Sequence, residues 1–267
     1  MSASEQMDRL PAIDPATGET IEWFPRQDAA GIDRAVRAAR AGFEVGGEWR
    51  KPSVRARVLA AIGDAIERDA ESLSTLESRD TGKPLAQAQA DVTVAARYFQ
   101  YYAGWADKIY GQQIPLGDAF LDYTLREPWG VCAQIIPWNY PLQLTSRLAA
   151  PALACGNTVV LKAAEEASLT PLRLAALAQR CGMPEGLFQV VTGLGEEAGA
   201  ALVEHPEVDH ISFVGSPAVG TLIAQVGARR LVPVSLELGG KSPQIVFPDA
   251  DLDLAVPAIV RALIQNA

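Results

Sequence analysis

Histidine and cysteine, the residues that most often ligate metals or act as nucleophiles, are scarce, with 2 and 3 copies in 267 residues. His205, His210, Cys132, Cys155 and Cys181 lack the spacing of a zinc site, so no metal centre is expected. So few scattered thiols fit a reducing, cytoplasmic setting, and without "GxSxG" there is no support for a serine–histidine–aspartate triad. Positive charge is thin as well. The net charge is −9 and no lysine or arginine cluster interrupts it, which argues against a nucleic acid or an anionic membrane as partner. Long apolar runs are missing. The longest, "LAAPALACGNTVVL", is broken by Pro151, Gly156 and Asn157, and the polar start "MSASEQMDRLPAIDPATGE" has no signal core.

What is present is a change of pattern near Gly130. Before it, Asp28 is the expected N-cap of a helix with Ile32, Ala35, Val36, Ala39 and Phe43 on one face. A second helix carries Val54, Val58, Leu59, Ile62 and Ile66, and "DTGKP" supplies a helix stop. The aromatics from Tyr98 to Tyr110 read as a packed helix face rather than a ligand box. Residues 111–130 read as a β-hairpin or extended arm, with Leu121, Tyr123 and Leu125 alternating as in a half-buried strand. After Gly130, the β-rich runs "VCAQII", "NTVVLK", "LFQVVT", "VDHISFV" and "VPVSLE" alternate with helical windows. That rhythm predicts right-handed βαβ units. The expected fold is α/β: a Rossmann-like parallel sheet flanked by helices, preceded by a helical segment and a hairpin arm.

Ligands of such sheets sit beyond the carboxyl ends of the strands, which directs attention to four segments. In "PWNYP", two prolines and the flanking Trp138 and Tyr140 could hold the Asn139 amide as a donor to a developing oxyanion, or Asn139 could merely complete a turn. In "LKAAE", Lys162 and Glu165 could face the hydroxyls of a ribose, or pair at the surface. "TGLGEEAG" places Gly193, Gly195 and Gly199 in an approximate dinucleotide fingerprint, and "FVGSPAVG" puts Gly215 and Ser216 before a proline at a helix start, where a pyrophosphate could bind. Tight turns would account for both. In "SLELGGKSP", Glu237 follows a strand, and the glycine pair after it leaves room for a ligand. A partly desolvated carboxylate there would have a raised pKa suited to a general base.

Together and in this order the segments resemble the NAD(P)-dependent aldehyde dehydrogenase superfamily. "LELGGKSP" agrees with that family's glutamate signature at all 8 positions, and "PWNYP", "ALACGNTVVLK", "GLFQVVTG", "FVGS", "DADLDLAV", "DPATGE" and "RDTGKPL" are similar too. The resemblance runs from about residue 13 to the end and implies a single cofactor-binding domain over 1–267, with an oligomerisation hairpin at 111–127. It implies that Asn139 is the oxyanion donor and Glu237 the general base. Lys162 and Glu165 would contact the adenosine ribose, Gly215 and Ser216 the pyrophosphate, with Trp138 beside them. The cofactor implied is NAD, since a carboxylate at Glu165 repels the 2′-phosphate of NADP, and the substrate is a small aldehyde.

Two departures stand out. Ala163 replaces the family's usual proline, which is expected to loosen that turn. The family's nucleophilic cysteine, in a "GQxC"-like segment beyond the glutamate, falls past Ala267, and "RALIQNA" is similar to the helix leading to it. The three cysteines present read as buried structural thiols. The expectation is therefore a cofactor-binding portion without the catalytic domain, inactive alone, and either a homo-oligomer or in need of a separate catalytic half. A pseudoenzyme, half of a split enzyme, and a related acyl-phosphate reductase are the alternatives.

Overall fold

The computed structural model describes residues 8–264, so the last three residues of "RALIQNA" lie outside the described residues. The chain opens with an antiparallel pair, β1 (Arg9–Ile13) and β2 (Thr20–Pro25), joined by a turn in which the Asp14 carboxylate accepts from the Ala16 N–H at 2.9 Å. The sequence reading passes over this pair because Pro11 and Pro25 weaken both strand signals.

Four helices follow: α1 (Ala29–Val45), α2 (Pro52–Arg68), α3 (Ala70–Thr81) and α4 (Leu85–Ala103). The Asp28 side chain caps α1 by accepting from the Gly31 N–H at 2.8 Å, as expected. Gly82, with φ of 76°, ends α3 in the left-handed conformation that its lack of a Cβ allows.

The arm contains β3 (Gln113–Ile114) and β4 (Asp122–Tyr123), paired antiparallel over two residues each. The expectation of a half-buried strand is not met: Leu121 is 79 % exposed, and Tyr123 and Leu125 are exposed too. Alternation marks a face but not its cover. The aromatic run also divides. Phe99 is fully buried and Tyr98 and Tyr102 pack against the core, whereas Tyr101, Trp105 and Tyr110 are exposed.

The remainder is a βαβ winding. Strands β5 (Val131–Ile135), β6 (Thr158–Lys162), β7 (Phe188–Val191), β8 (His210–Gly215) and β9 (Val234–Leu238) form one parallel sheet in the order β7-β6-β5-β8-β9. The connecting helices are α5 (Pro141–Ala154), α6 (Leu169–Arg180), α7 (Ala200–Glu204) and α8 (Pro217–Arg230), and α9 (Leu252–Leu263) closes the described chain.

Both faces of the sheet are covered, which explains why its central strands are apolar throughout. Alternate residues go to opposite cores. Cys132, Val159 and Leu161 meet Leu59, Ile62, Phe99, Leu153 and Leu174 on one side. Val131, Ala133 and Val160 meet Ile32, Val36, Leu202 and Ile223 on the other. The early helix α1 thus completes the second face rather than standing apart from the sheet. No helix among the described residues is long and apolar enough to cross a membrane.

Candidate active site

Registers align the strands so that their carboxyl ends form one rim: Ile135 lies opposite both Lys162 and Phe213, Lys162 opposite Val191, and Gly215 opposite Leu238. Chain order along the sheet is third, second, first, fourth, fifth, so the winding reverses between β5 and β8. A crevice opens at such a reversal. Residues 136–139 leave β5 on one side of it, and Gly215 and Ser216 leave β8 on the other.

On the β5 side, Pro137 and Pro141 bracket Trp138, Asn139 and Tyr140, and Pro141 is the first residue of α5. Asn139 is half-buried, and its carbonyl accepts from the Lys83 ammonium at 2.7 Å. Trp138 is exposed and, with Glu165, Glu166 and Leu194, lines a cleft of about 520 Å³ whose far wall is β1 and Asp80. Burial pushes the Asp80 carboxyl up to about 7, although Oδ2 accepts from the Leu169 N–H at 3.0 Å.

On the β8 side, a Cβ at Gly215 would lie 2.4 Å from the Phe213 ring, so only glycine fits without moving that ring. Ser216 caps α8, its Oγ accepting from the Val219 N–H at 3.3 Å, and Pro217 opens the helix. This is the strand–glycine–cap–proline order expected of an anion-ready helix start, though packing and capping by themselves account for both residues.

At the end of β6, Lys162 is 3 % exposed and its ammonium donates to Glu165 Oε2. The pair is therefore not the surface ion pair that was one alternative. Glu165 Oε1 also accepts from the Gly195 N–H at 3.4 Å, which ties the turns after β6 and β7 together. Burial raises the Glu165 pKa, but the hydrogen bond from Lys162, the residue's own backbone N–H, the Lys162 charge and, least, the Gly195 N–H together outweigh it and hold the carboxylate below its ordinary range. Ala163 does not loosen this turn. Its N–H donates to the Val191 carbonyl at 3.1 Å, a ladder bond that proline could not make. Gly193 takes φ of 142° where a Cβ would meet the Gln27 carbonyl at 2.7 Å, so the turn needs its glycine. Gly199 is buried beneath the rim beside Ile135.

Glu237 sits near the carboxyl end of β9 with its side chain 64 % exposed, 3.9 Å from Arg147. The partial desolvation expected from its place among leucines is absent, because β9 is the outer strand of the sheet among the described residues.

The aldehyde dehydrogenase family model matches residues 1–267. The chain belongs to the aldehyde dehydrogenase family. It is 48 % identical over 261 residues to human retinal dehydrogenase 2, covering 96 % of this chain and 50 % of that protein. It is 48 % identical to mouse cytosolic aldehyde dehydrogenase 1, covering 93 % and 50 %. An aldehyde dehydrogenase from Bacillus cereus, solved as an NAD+ complex, superposes with a TM-score of 0.93 at 41 % identity, covering 95 % of this chain and 52 % of that one. The chain spans about half the length of the curated relatives it matches.

A cysteine acts as a nucleophile only as its thiolate. Burial pushes Cys132 up to about 12, and surrounding protein that partly keeps water from their sulfurs raises Cys155 and Cys181 as well, against nearby arginines. Cys132 is buried as expected, but Cys155 is exposed and Cys181 half-buried, which corrects the expectation of three buried thiols. None of the three is prepared as a thiolate.

One group at the site escapes sequence reasoning altogether. Lys83, in the "DTGKP" stop, is 2 % exposed and lies among Glu77, Asp91 and the Asn139 turn. A lysine beside glycine and proline reads as solvated. Only the carboxylates six residues before and eight after it hint otherwise.

Proposed function

We propose that this chain is the cofactor-binding part of an NAD-dependent enzyme oxidising aldehydes to carboxylic acids, one domain over 1–267 with the 111–127 arm inserted. The observation that carries this reading is the convergence of Lys162, Glu165 and Gly195 at the rim, next to the crevice between Asn139 and Ser216. The donor set fits NAD. An ammonium has three donors, and a half-exposed carboxylate keeps acceptor capacity for a ribose diol, so Lys162 and Glu165 would hold the adenosine ribose. Gly215 and Ser216 at the start of α8 would hold the pyrophosphate, where the helix dipole favours an anion. Trp138 would flank the cofactor and Gly195 would fix Glu165, with Gly199 packing beneath.

The cofactor, when bound, supplies the acceptor for the aldehyde's hydride. Asn139 would donate to the carbonyl oxygen as negative charge develops there, and Glu237 would take a proton from the attacking group. The chain offers a base and an oxyanion donor but no activated thiol of its own, so we infer that it binds NAD without turning aldehydes over unless a chain carrying the nucleophile completes it.

Calorimetric titration tests this. NAD should bind in the micromolar to millimolar range, and NADP at least about tenfold more weakly. Glu165→Gln should narrow that gap by removing the charge that faces the 2′ position. With NAD and a panel of aliphatic and aromatic aldehydes, no steady NADH production is expected. Failure of NAD to bind at millimolar concentration overturns the reading. Sustained turnover abolished in Glu237→Ala overturns the claim of inactivity alone.

A further inference from the structure

The Lys83 ammonium is enclosed by three oxygens. Asp91 Oδ2 lies at 2.7 Å, Glu77 Oε1 at 3.3 Å and the carbonyl of Asn139 at 2.7 Å, one acceptor for each of its hydrogens. It also lies 4.5 Å from the centre of the Tyr140 ring. The two carboxylates are themselves fixed, Glu77 by the Thr170 hydroxyl and Asp91 by the Gln87 amide at 2.9 Å. Glu77 and Asp91 are as buried as the lysine.

A buried charge cluster is a poor way to fill space, since well-packed apolar side chains of similar volume are often as stabilising or more so. What this cluster does that an apolar one could not is grip a peptide on another element, 56 residues away in sequence. That peptide joins Asn139 to Tyr140. Its plane is coupled to the ψ angle of Asn139, within a turn whose ends are already set by Pro137 and Pro141.

We infer that Lys83 is a positioning residue: by fixing the Asn139–Tyr140 peptide it sets the aim of the Asn139 amide into the crevice. The inference rests on the reading of Asn139 as the oxyanion donor. Glu77 and Asp91 hold the ammonium in place, and Thr170 links the cluster to α6, so the helices before the sheet and the sheet rim act on one turn together.

The test uses the full chain, hydrogen exchange by mass spectrometry, and NMR of the Asn139–Tyr140 backbone and the Asn139 side-chain amide, none of which needs a ligand. In Lys83→Met, which loses the bond to the Asn139 carbonyl, the backbone resonances of Asn139 and Tyr140 should shift while β5, β6 and β8 keep their protection against exchange. The Asn139 side-chain resonances should shift as well. A folded Lys83→Met variant with an unchanged turn and unchanged Asn139 resonances overturns the inference. So does a uniform loss of protection, which would make Lys83 a general stabiliser. If Lys83→Met does not fold, the charge-neutral variant Glu77→Gln/Lys83→Met/Asp91→Asn is read the same way, and failure of both to fold also overturns it. Failure of the parent chain to bind NAD counts against the cofactor reading alone, because the Lys83 readouts are independent of it.

Discussion

The thiol of Cys132 points from the middle of β5 into the core that contains Leu153 and Leu161, and burial pushes it up to about 12. A raised thiol pKa means that the neutral form persists as pH rises, so Cys132 stays protonated across the range in which an unperturbed cysteine ionises. Near pH 8 almost none of it is thiolate. Titration with a thiol-specific disulfide reagent at pH 8 should therefore leave Cys132 unlabelled in the folded chain and label it quickly in guanidinium. Fast native labelling of Cys132, read by peptide mapping, would contradict that account. The same scale limits what Glu237 contributes. Its nearest described cation, Arg147, is 3.9 Å away and both side chains are largely in water, so their attraction is weak and screened. An enclosing surface would change that more than any neighbour within the sheet.

Within one element, the end of α8 holds the one described non-glycine residue with positive φ. Leu231, at φ of 55° and ψ of 33°, closes the helix in the left-handed region and is 91 % exposed. The conformation costs an L-residue about 1–2 kcal/mol, and a leucine so exposed packs against little that could offset it. Glycine removes that cost but adds about 0.5–1 kcal/mol of unfolded-state entropy. The first effect wins by a small margin, so Leu231→Gly should stabilise the chain by up to about 1 kcal/mol. A denaturant midpoint that falls would refute this. How legible each element is in the sequence follows from where its determinants lie. The five parallel strands and the Asp28 cap are readable because their signals are local: apolar runs bounded by turns, and one side chain three residues from the N–H it accepts from. So are the Gly215–Ser216–Pro217 corner and the Lys162–Glu165 pair. The burial of Lys83, the exposure of the arm and that of Cys155 depend on what packs against each from far along the chain, which no window of sequence contains.

Taken whole, the molecule carries apolar surface that it does not cover with the described residues. The arm presents Phe120, Leu121 and Leu125, and its strands pair over only two residues each, too few for a hairpin to be stable in water without support. α9 buries none of its residues, although Leu252, Leu254, Val256, Val260 and Leu263 are apolar, and Phe247 just before it is exposed as well. Among the described residues β9 forms an outer edge of the sheet. Surfaces of this kind drive association. The net charge of −9 opposes it at long range, which favours ordered contacts over amorphous clumping at low salt. Light scattering at micromolar concentration should accordingly give a mass above that of the monomer, growing with ionic strength as the repulsion is screened. Two double variants divide the causes. Leu121→Lys with Leu125→Lys alters only the arm, and Leu254→Lys with Leu263→Lys only α9. If the arm mediates a defined assembly, the first variant should return a monomer while NAD affinity stays within about twofold, since none of the residues assigned to the cofactor belongs to the arm. If α9 is the sticky surface, the second should do so instead. A parent chain that is monomeric at every salt concentration would show that neither surface associates, and that the arm holds its shape without a partner.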